Sequence, residues 1–205
     1  MAMTPRDLAK ILLRAAATVA VGPVLLLHAM KVPILGKDRA LAGSTQLLAL
    51  VPGLTGQYFR RAFLVWTIRD CHPSALVEFG TIFSKAEASL GENVYIGPYC
   101  SIGAAEIGRD TLIGPGVHLL SGARLHGTAD PTTPIREQAG EVVRVSIGAG
   151  CWIGAGAVVM ADIGQDSIVG AGAVVTRPIP SGVVAVGMPA RVIRGRVEVR
   201  SKAHV

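Results

Sequence analysis

Bulky aromatic side chains are scarce in this sequence: two Trp, three Tyr and four Phe make up 4% of its 205 residues. Half of the residues are nevertheless hydrophobic, and glycine is abundant at 25. The glycines follow no strict three-residue period, which excludes a collagen-like chain. Small and branched aliphatic residues must build the core, and this favours a narrow, stacked architecture over one centred on large rings.

Cysteine is also rare, and the three that occur, Cys71, Cys100 and Cys151, show no CxxC spacing. An odd number without that spacing indicates neither a disulfide framework nor a zinc site. We therefore expect a reducing, cytoplasmic compartment. The sequence also lacks a phosphate-binding loop, an HExxH helix and the context of a dinucleotide-binding GxGxxG motif. We expect no bound metal and no nucleic-acid partner.

The net charge of +6 is distributed unevenly along the chain. Residues 1–70 carry nine Lys and Arg against three acids, residues 71–176 five against ten, and residues 177–205 six against one, giving +6, −5 and +5. A basic start beside apolar segments suits an anionic membrane surface. A basic end suits a phosphorylated ligand. The alternative is that both segments are solvated faces.

The first helix is predicted to be amphipathic. Leu8, Ile11, Leu12, Ala15 and Val19 fall in one stripe at about 100° per residue, which predicts a helix over residues 6–20. The apolar run over residues 15–30 is interrupted and shorter than the roughly 20 residues that span a bilayer. No signal-peptide cleavage site follows it.

A second membrane signal comes from Phe59, Phe63 and Trp66, which are spaced i, i+4, i+7 beside three arginines. Aromatic side chains next to cations are typical of the lipid headgroup level. We expect residues 1–70 to form an apolar helical region that holds the protein, as a peripheral or monotopic protein, to the inner face of the membrane. The alternative is that these helices cap the following domain or pack between subunits.

From Leu90 onward the sequence has a period of six. An aliphatic residue recurs at each step, glycine usually follows it, and a small residue stands four positions later. The aliphatic positions are Ile96, Ile102, Ile107, Ile113, Leu119 and Leu125, then, after a break, Ile147, Ile153, Val159, Ile163, Val169 and Val175. The small positions are Cys100, Thr111, Val117, Ala123, Cys151, Ala157, Ser167 and Ala173. We expect the two cysteines among them to be core residues.

A six-residue unit is too short for a strand, a helix and a return. It fits one flat side of a prism, a short strand followed by a tight turn. Three units make one coil of about eighteen residues, and stacked coils bury the aliphatic residues in one column. The sequence therefore predicts an all-β solenoid over residues 71–195, with residues 196–205 as a basic tail.

Four segments carry a family resemblance: YIGPYCSIG, LIGPGV, SIGAGCWIGAGAVV and SIVGAGAVVTRPIPSGVVAVGMPARVIR. They resemble the hexapeptide-repeat acyltransferases, in particular the galactoside, maltose and xenobiotic O-acetyltransferases, over about residues 77–195. The resemblance implies a left-handed parallel β-helix and a homotrimer with active sites between neighbouring subunits. It also implies transfer of an acetyl group from acetyl-CoA to a hydroxyl of a saccharide or lipid-linked glycan.

The period stops at Leu125, and residues 126–146 form a loop with prolines and charges. A long loop leaving a rigid solenoid is an expected place for function. It opens with His126, and acyl transfer to a hydroxyl needs a base that works near neutral pH. The resemblance implies that His126 is this general base, although Gly127 stands where the family usually has proline. Three acids of the loop are candidates to orient its ring: Asp130, Glu137 and Glu141.

The resemblance also implies which residues hold CoA. Residues that match positions along the pantetheine arm are Ala155, Ala171 and Thr176. Two cations, Arg177 and Arg191, match basic positions near the nucleotide phosphates. Trp152 matches an aromatic position beside CoA, and its alternative role is packing between subunits.

Several alternatives stay open. His118, at the last position of its hexapeptide, is a weaker candidate for the base. A metal hydrase on the same coil, like the gamma-type carbonic anhydrases, needs three histidines around zinc, and only His118 and His126 lie near one another. A non-catalytic membrane-associated scaffold and an N-acyltransferase with an amino acceptor are the remaining candidates.

Overall fold

Four helices precede the β-helix in the computed structural model, which describes residues 5–197. They are α1 (Pro5–Ala20), α2 (Gly22–Leu35), α3 (Lys37–Ala49) and α4 (Gly53–Thr67). α1 covers the segment predicted as an amphipathic helix. Most of the predicted basic tail, residues 198–205, lies outside the described residues.

The rest of the described chain is a parallel β-helix of about six turns built from three sheets. Sheet A contains β1 (Asp70–Cys71), β4 (Ser89–Leu90), β7 (Ala105–Ile107) and β10 (Val145–Ile147). Sheet B contains β2 (Leu76–Val77), β5 (Tyr95–Ile96), β8 (Leu112–Ile113), β11 (Trp152–Ile153), β13 (Ile168–Val169), β15 (Val183–Val186) and β16 (Arg191–Gly195). Sheet C contains β3 (Ile82–Phe83), β6 (Ser101–Ile102), β9 (His118–Leu119), β12 (Val158–Val159) and β14 (Val174–Val175). The predicted solenoid is confirmed.

The strands stack in register, so each inward residue lies on the equivalent residue of the next turn. In sheet B, for example, Ile96 pairs with Ile113 and Ile113 with Ile153. The last pair, β15 with β16, is antiparallel and forms a hairpin at the C-terminal end of the β-helix. The aliphatic residues predicted from the period therefore form the core, with the exception of Leu125, which is only half-buried.

The small positions of the repeat also face the core. Cys100 and Cys151 are 1% and 2% exposed, as predicted. Cys71 is buried as well, and desolvation raises the pKa of its thiol to about 12. All three thiols are therefore structural side chains rather than nucleophiles.

The glycine that follows each aliphatic residue is required by close approach between turns. A Cβ on Gly108 would lie 2.6 Å from the Ala149 nitrogen of the next turn. At most corners that follow sheets A and B, the left-handed backbone falls two residues after this position, for example at Asp110, where φ is 57°. The turn and the close approach are thus separate requirements at separate residues.

All irregularities of the period fall at one corner, between sheets C and A. The spacing from the last inward residue of sheet C to the next one of sheet A is seven residues from Phe83 to Leu90, five from Ile102 to Ile107, and four from both Val159 to Ile163 and Val175 to Ile179. The other two corners keep the six-residue step. This corner therefore accepts changes of chain length that the others do not.

Helices α3 and α4 close the N-terminal end of the β-helix. Thr45 Oγ1 of α3 donates to the Phe83 carbonyl at 3.2 Å and accepts from the Phe83 N–H at 3.2 Å. Arg60 of α4 is 2% exposed, and its guanidinium donates to the carbonyls of Val77 at 2.9 Å, Leu48 at 3.1 Å and Val51 at 2.8 Å. The helices and the first turns share one hydrophobic core, as in the capping alternative.

The predicted headgroup-level face of α4 is only partly exposed. Phe63 is fully buried and meets the His28 ring edge-on, with 5.3 Å between the ring centroids. Phe59 is half-buried, whereas Trp66 is 69% exposed. The prediction that Phe63 faces a membrane is therefore wrong, because this ring fills the space between α2 and α4.

Within residues 5–197, no single helix is long and apolar enough to cross a bilayer. Ile11–Ala20 and Gly22–Leu35 pass that test only as a pair, bent by 50° at their junction.

Candidate active site

The loop that interrupts the β-helix spans residues 120–144, between β9 and β10. It starts six residues earlier than predicted, because the period ends at Leu119. Ala123 is exposed and Leu125 only half-buried, so neither occupies the core position assigned to it. The chain leaves through the variable corner between sheets C and A, where Ser121 turns inward and its Oγ accepts from the Ala104 N–H at 2.8 Å.

The two arms of the loop run side by side. The Glu141 N–H donates to the Arg124 carbonyl at 2.7 Å, and the Val143 N–H to the Ser121 carbonyl at 2.9 Å. Gly140 lies directly against the chain at His126: a Cβ at position 140 would stand 2.5 Å from the His126 nitrogen and closer still to the Leu125 carbonyl oxygen. Only glycine permits this approach, so Gly140 helps to fix where His126 lies.

The tip of the loop is organised by Asp130. Its carboxylate accepts from the N–H and Oγ1 of Thr132 at 2.8 and 2.7 Å and from Oγ1 of Thr133 at 2.6 Å. These hydrogen bonds, chiefly from Thr132, lower the pKa of Asp130 to about 2. Gln138 Nε2 crosses the tip to donate to the carbonyls of Asp130 and Thr133.

His126 itself is exposed at the start of this loop. The three acids proposed to orient its ring have other partners within the chain. Asp130 binds the two threonines, Glu137 pairs with Arg136 at 3.3 Å, and Glu141 pairs with Arg124 at 2.8 Å. The described chain therefore presents His126 outward and leaves its ring free to meet a group from outside.

Ala155 and Ala171, predicted to flank pantetheine, occupy equivalent positions on consecutive turns. The Gly172 N–H donates to the Ala155 carbonyl at 2.8 Å, and both alanines are exposed at the corner between sheets B and C. Cβ atoms added to the neighbouring Gly156 and Gly172 would meet nothing within 4 Å. The corner is thus a flat strip with open space beside it, which fits a thin ligand.

Arg177 and Arg191, predicted near phosphates, come together in the structure. Both line one cavity of about 190 Å³ at the C-terminal end of the β-helix. Arg191 Nη1 donates to the Ala190 carbonyl at 3.0 Å. The side chains of Arg177 and Arg191 are both exposed. Thr176, which directly precedes Arg177, is exposed after β14.

Trp152 lies on the outer face of sheet B and is 53% exposed. It pairs with Leu112 on one side and Ile168 on the other, and Leu112 pairs with Tyr95. Together these side chains form a ridge of apolar residues, here called the sheet B ridge: Tyr95, Leu112, Trp152 and Ile168. The structure does not bring His126 into the corner of Ala155 and Ala171, because the loop leaves from a different corner.

His118 is exposed on sheet C, in register with Ser101 and Val158. Within residues 5–197 no group of three His, Cys, Asp or Glu side chains is arranged to hold a metal ion.

Two family models match the chain. The bacterial transferase hexapeptide (six repeats) matches residues 87–121, and the hexapeptide repeat of succinyl-transferase matches residues 144–177. The gap between them coincides with the loop that carries His126.

Solved structures give the same result. A galactoside acetyltransferase in complex with coenzyme A is 26% identical with a TM-score of 0.68, over 81% of this chain and 82% of that chain. A maltose O-acetyltransferase from Clostridium difficile 630 is 25% identical with a TM-score of 0.63, over 78% and 86%. The chain is therefore similar to the hexapeptide-repeat acyltransferases, both in its repeat segments and in its fold.

A hexapeptide-repeat acetyltransferase from Vibrio cholerae, 20% identical with a TM-score of 0.61 over 78% of this chain and 93% of that chain, shares the fold. A search of the curated proteins finds no match.

Gly140 could not be identified from the sequence. A glycine between Ala139 and Glu141 in an aperiodic loop carries no signal in the repeat, and only the packing of the two arms reveals it. Arg60 could not be identified either, since a lone arginine on a helix is usually a solvated residue.

Proposed function

We propose that this acyltransferase moves an acetyl group from acetyl-CoA to a hydroxyl of a saccharide or lipid-linked glycan. The similarity to a succinyl-transferase hexapeptide repeat and to a CoA-bound galactoside acetyltransferase supports a CoA thioester as donor. The observation that carries the proposal is the combination, on one β-helix, of two features. One is a flat, exposed corner together with two arginines that share a cavity at the C-terminal end, and the other is a long loop that presents a histidine. The first binds a long anionic thioester, and the second supplies a base.

Acetyl-CoA would supply an activated acetyl carbonyl and a thiolate leaving group. The corner of Ala155 and Ala171 would lie along the pantetheine arm, because no side chain projects there. Arg177 and Arg191 would hold phosphate groups at the cavity they share, where guanidinium groups form charge-assisted hydrogen bonds. Trp152 and Thr176 would flank the same ligand.

His126 would act as the general base. Its ring nitrogen removes the proton from the hydroxyl group of the acceptor substrate, while the oxygen of that hydroxyl group forms a bond to the acetyl carbonyl carbon. The C–S bond then breaks, and His126 returns the proton to the departing sulfur, so that free CoA and the acetyl ester leave. This role requires an exposed ring with a free ring nitrogen, as His126 has.

The complete site would form between two chains of a homotrimer. Two observations support this: His126 and the CoA corner lie apart in one chain, and the sheet B ridge exposes Leu112 and Trp152 by 43% and 53%. An apolar ridge on an otherwise regular face suits contact with another subunit. Light scattering of the purified protein should give a trimeric mass, and Leu112→Glu should give a folded, inactive monomer. A monomeric wild-type protein with full activity would refute this arrangement.

The role of His126 is tested by His126→Ala with His118→Ala as the matched control, since both are exposed histidines of the same turn. Turnover in a thioester-cleavage assay should fall roughly 10²–10⁴-fold for His126→Ala, the usual contribution of a general base. CoA affinity by calorimetry should be unchanged, because the loop is separate from the corner. Loss in His118→Ala alone would move the base to that residue, and full activity in both would contradict the proposed site.

The acceptor class is tested by the same assay with a panel of acceptors. A hydroxyl-bearing glycan, soluble or lipid-linked, should stimulate CoA release, and an amine of equal size should not. Stimulation by the amine alone would identify an N-acyltransferase. Thioester binding with no acceptor-stimulated release would favour the scaffold alternative.

The membrane contact is a second part of the proposal, and it is supported by apolar side chains that point away from the protein. On α2, the side chains of Leu26, Met30 and Ile34 are 64%, 61% and 80% exposed. Helices with such faces lie in the interface between headgroups and acyl chains. Full-length protein should float with vesicles, whereas Leu26→Gln/Ile34→Gln should stay in solution. Recovery of wild-type protein wholly in the soluble fraction would refute the contact.

A further inference from the structure

The predicted apolar stripe of α1 faces outward, whereas a helix on a soluble domain usually turns its apolar stripe inward. The stripe, which includes Ile11, Leu12 and Val19, is exposed. On the other side of the helix Ala17 is 4% exposed, and Arg14 is partly buried against α4. The packing thus draws a cation inward and, within residues 5–197, leaves the apolar stripe uncovered.

Arg14 meets a second arginine in a cavity of about 220 Å³ between α1 and α4. Arg61 lines the same cavity, with its guanidinium carbon 4.7 Å from the centroid of the Tyr58 ring. Among the described side chains, neither arginine has a carboxylate within 4.0 Å, and Arg14 Nε is buried without a hydrogen-bond partner. None of the described residues that line the cavity is acidic.

This arrangement is unfavourable without an anion. A buried N–H that lacks an acceptor has lost its hydrogen bonds to water without replacing them, and two guanidinium groups repel each other. Burial is the main cause that lowers the pKa of Arg61, and the positive charge of Arg14 lowers it further. An anionic group with several oxygen acceptors placed between the two guanidinium groups would relieve both costs.

We propose that this cavity binds the phosphate of an anionic lipid headgroup. The inference rests on the proposed membrane contact and adds a specific site to it. A lipid rather than a soluble anion is favoured by exposed apolar side chains. Trp66 and Val65, which line the cavity, are 69% and 43% exposed, and α1, which contributes Arg14 to the cavity, also carries the exposed apolar stripe. The acyl chains of a lipid held by its phosphate would cover these apolar side chains.

The first test is flotation of the full-length protein with vesicles of phosphatidylcholine alone or mixed with phosphatidylglycerol. Arg14→Gln and Arg61→Gln are compared with Arg39→Gln, which removes the same charge from an exposed position on α3 outside this cavity. A single surface cation changes partitioning onto anionic vesicles about fivefold. The two cavity variants should lose roughly 10- to 100-fold, and partitioning onto phosphatidylcholine should not change.

The outcomes separate this inference from the membrane proposal. Wild-type protein that floats with neither vesicle refutes both. Wild-type protein that floats, with equal losses in all three variants, refutes the site alone, because surface charge then accounts for the preference.

A second measurement does not depend on the vesicles. In Trp152→Phe protein, Trp66 is the only tryptophan, and its emission should respond saturably to short-chain phosphatidylglycerol below its micelle concentration. Inorganic phosphate should compete only weakly. A flat titration overturns the site even where Arg14→Gln or Arg61→Gln fails to fold. An equal response to inorganic phosphate would assign the cavity to a soluble anion and overturn the lipid.

Discussion

Replacing Gly140 by alanine should separate the two arms of the loop and displace His126. The added Cβ would stand 2.5 Å from the His126 nitrogen, whereas ordinary contacts begin at 3.4 Å, so the arms must part by at least 3.4 − 2.5 = 0.9 Å. The atoms that the Cβ would meet, the His126 nitrogen and the Leu125 carbonyl, belong to the backbone and cannot rotate away as a side chain would. A displacement of about 1 Å in a catalytic group costs about 100-fold in rate.

The measurement is turnover of acetyl-CoA with a glycan acceptor, together with CoA affinity by calorimetry. Turnover of Gly140→Ala should fall about 100-fold, while CoA affinity stays unchanged because Ala155 and Ala171 lie at another corner. The control is Gly43→Ala in α3, where a Cβ meets nothing within 4 Å. It should leave turnover intact and stabilise the helix by up to about 1 kcal/mol.

Wild-type turnover in Gly140→Ala would refute the reasoning, and His126→Ala then locates the error. If His126→Ala is inactive, the arms open without moving the ring. If it is active as well, the loop does not carry the base.

Other predictions concern stability and protonation. Arg60→Met removes a donor from three carbonyls, two of which, those of Val77 and Val51, have no other donor among the described residues. It should lower the free energy of unfolding by roughly 3–5 kcal/mol in urea titrations, against less than about 0.5 kcal/mol for the exposed Arg39→Met; equal losses would contradict the capping role. Because the folded loop lowers the pKa of Asp130 to about 2, the hydrogen bonds that it accepts should persist above the ordinary carboxyl value of 3.8 and be lost only as the pH falls through about 2. An NMR titration midpoint for this carboxyl near 3.8 would show that the tip is not formed in solution. With its pKa raised to about 12, Cys71 should resist thiol reagents in the native protein and react on unfolding; rapid native labelling would show that the N-terminal turn opens.

The period of six was enough to predict the solenoid and its core, since an inward residue at Ile96, Ile113 or Ile153 repeats the same environment on each turn. The period gave a wrong prediction where the chain leaves the β-helix. Leu125 continues the spacing by chance, but the chain has already left the column at Leu119, and composition alone does not mark that exit. The start of the loop was therefore placed six residues too late.

Tertiary packing also overrode the pattern on the helices. Phe63 and Trp66 share a helical face in sequence, yet the partner helix α2 covers one ring and leaves the other exposed. The small and basic CoA positions were carried over from the family resemblance, and the structure brings Arg177 and Arg191 to one cavity. Contacts within one chain leave the surroundings of His126 open. The residue that orients its ring could therefore not be predicted from the sequence or from the family resemblance.

The corner between sheets C and A, where the step between inward residues varies from seven to four, divides the protein into a constant and a replaceable part. The corners that follow sheets A and B keep the six-residue step and hold the turns in register. The corner between sheets C and A takes four, five or seven residues, or the whole loop of residues 120–144, provided that both ends return to adjacent turns. We therefore expect this loop to be exchangeable for one of another length, joined at residues 120 and 144, while the core stays folded. In this architecture a loop can diverge in length and sequence without refolding the scaffold that carries it.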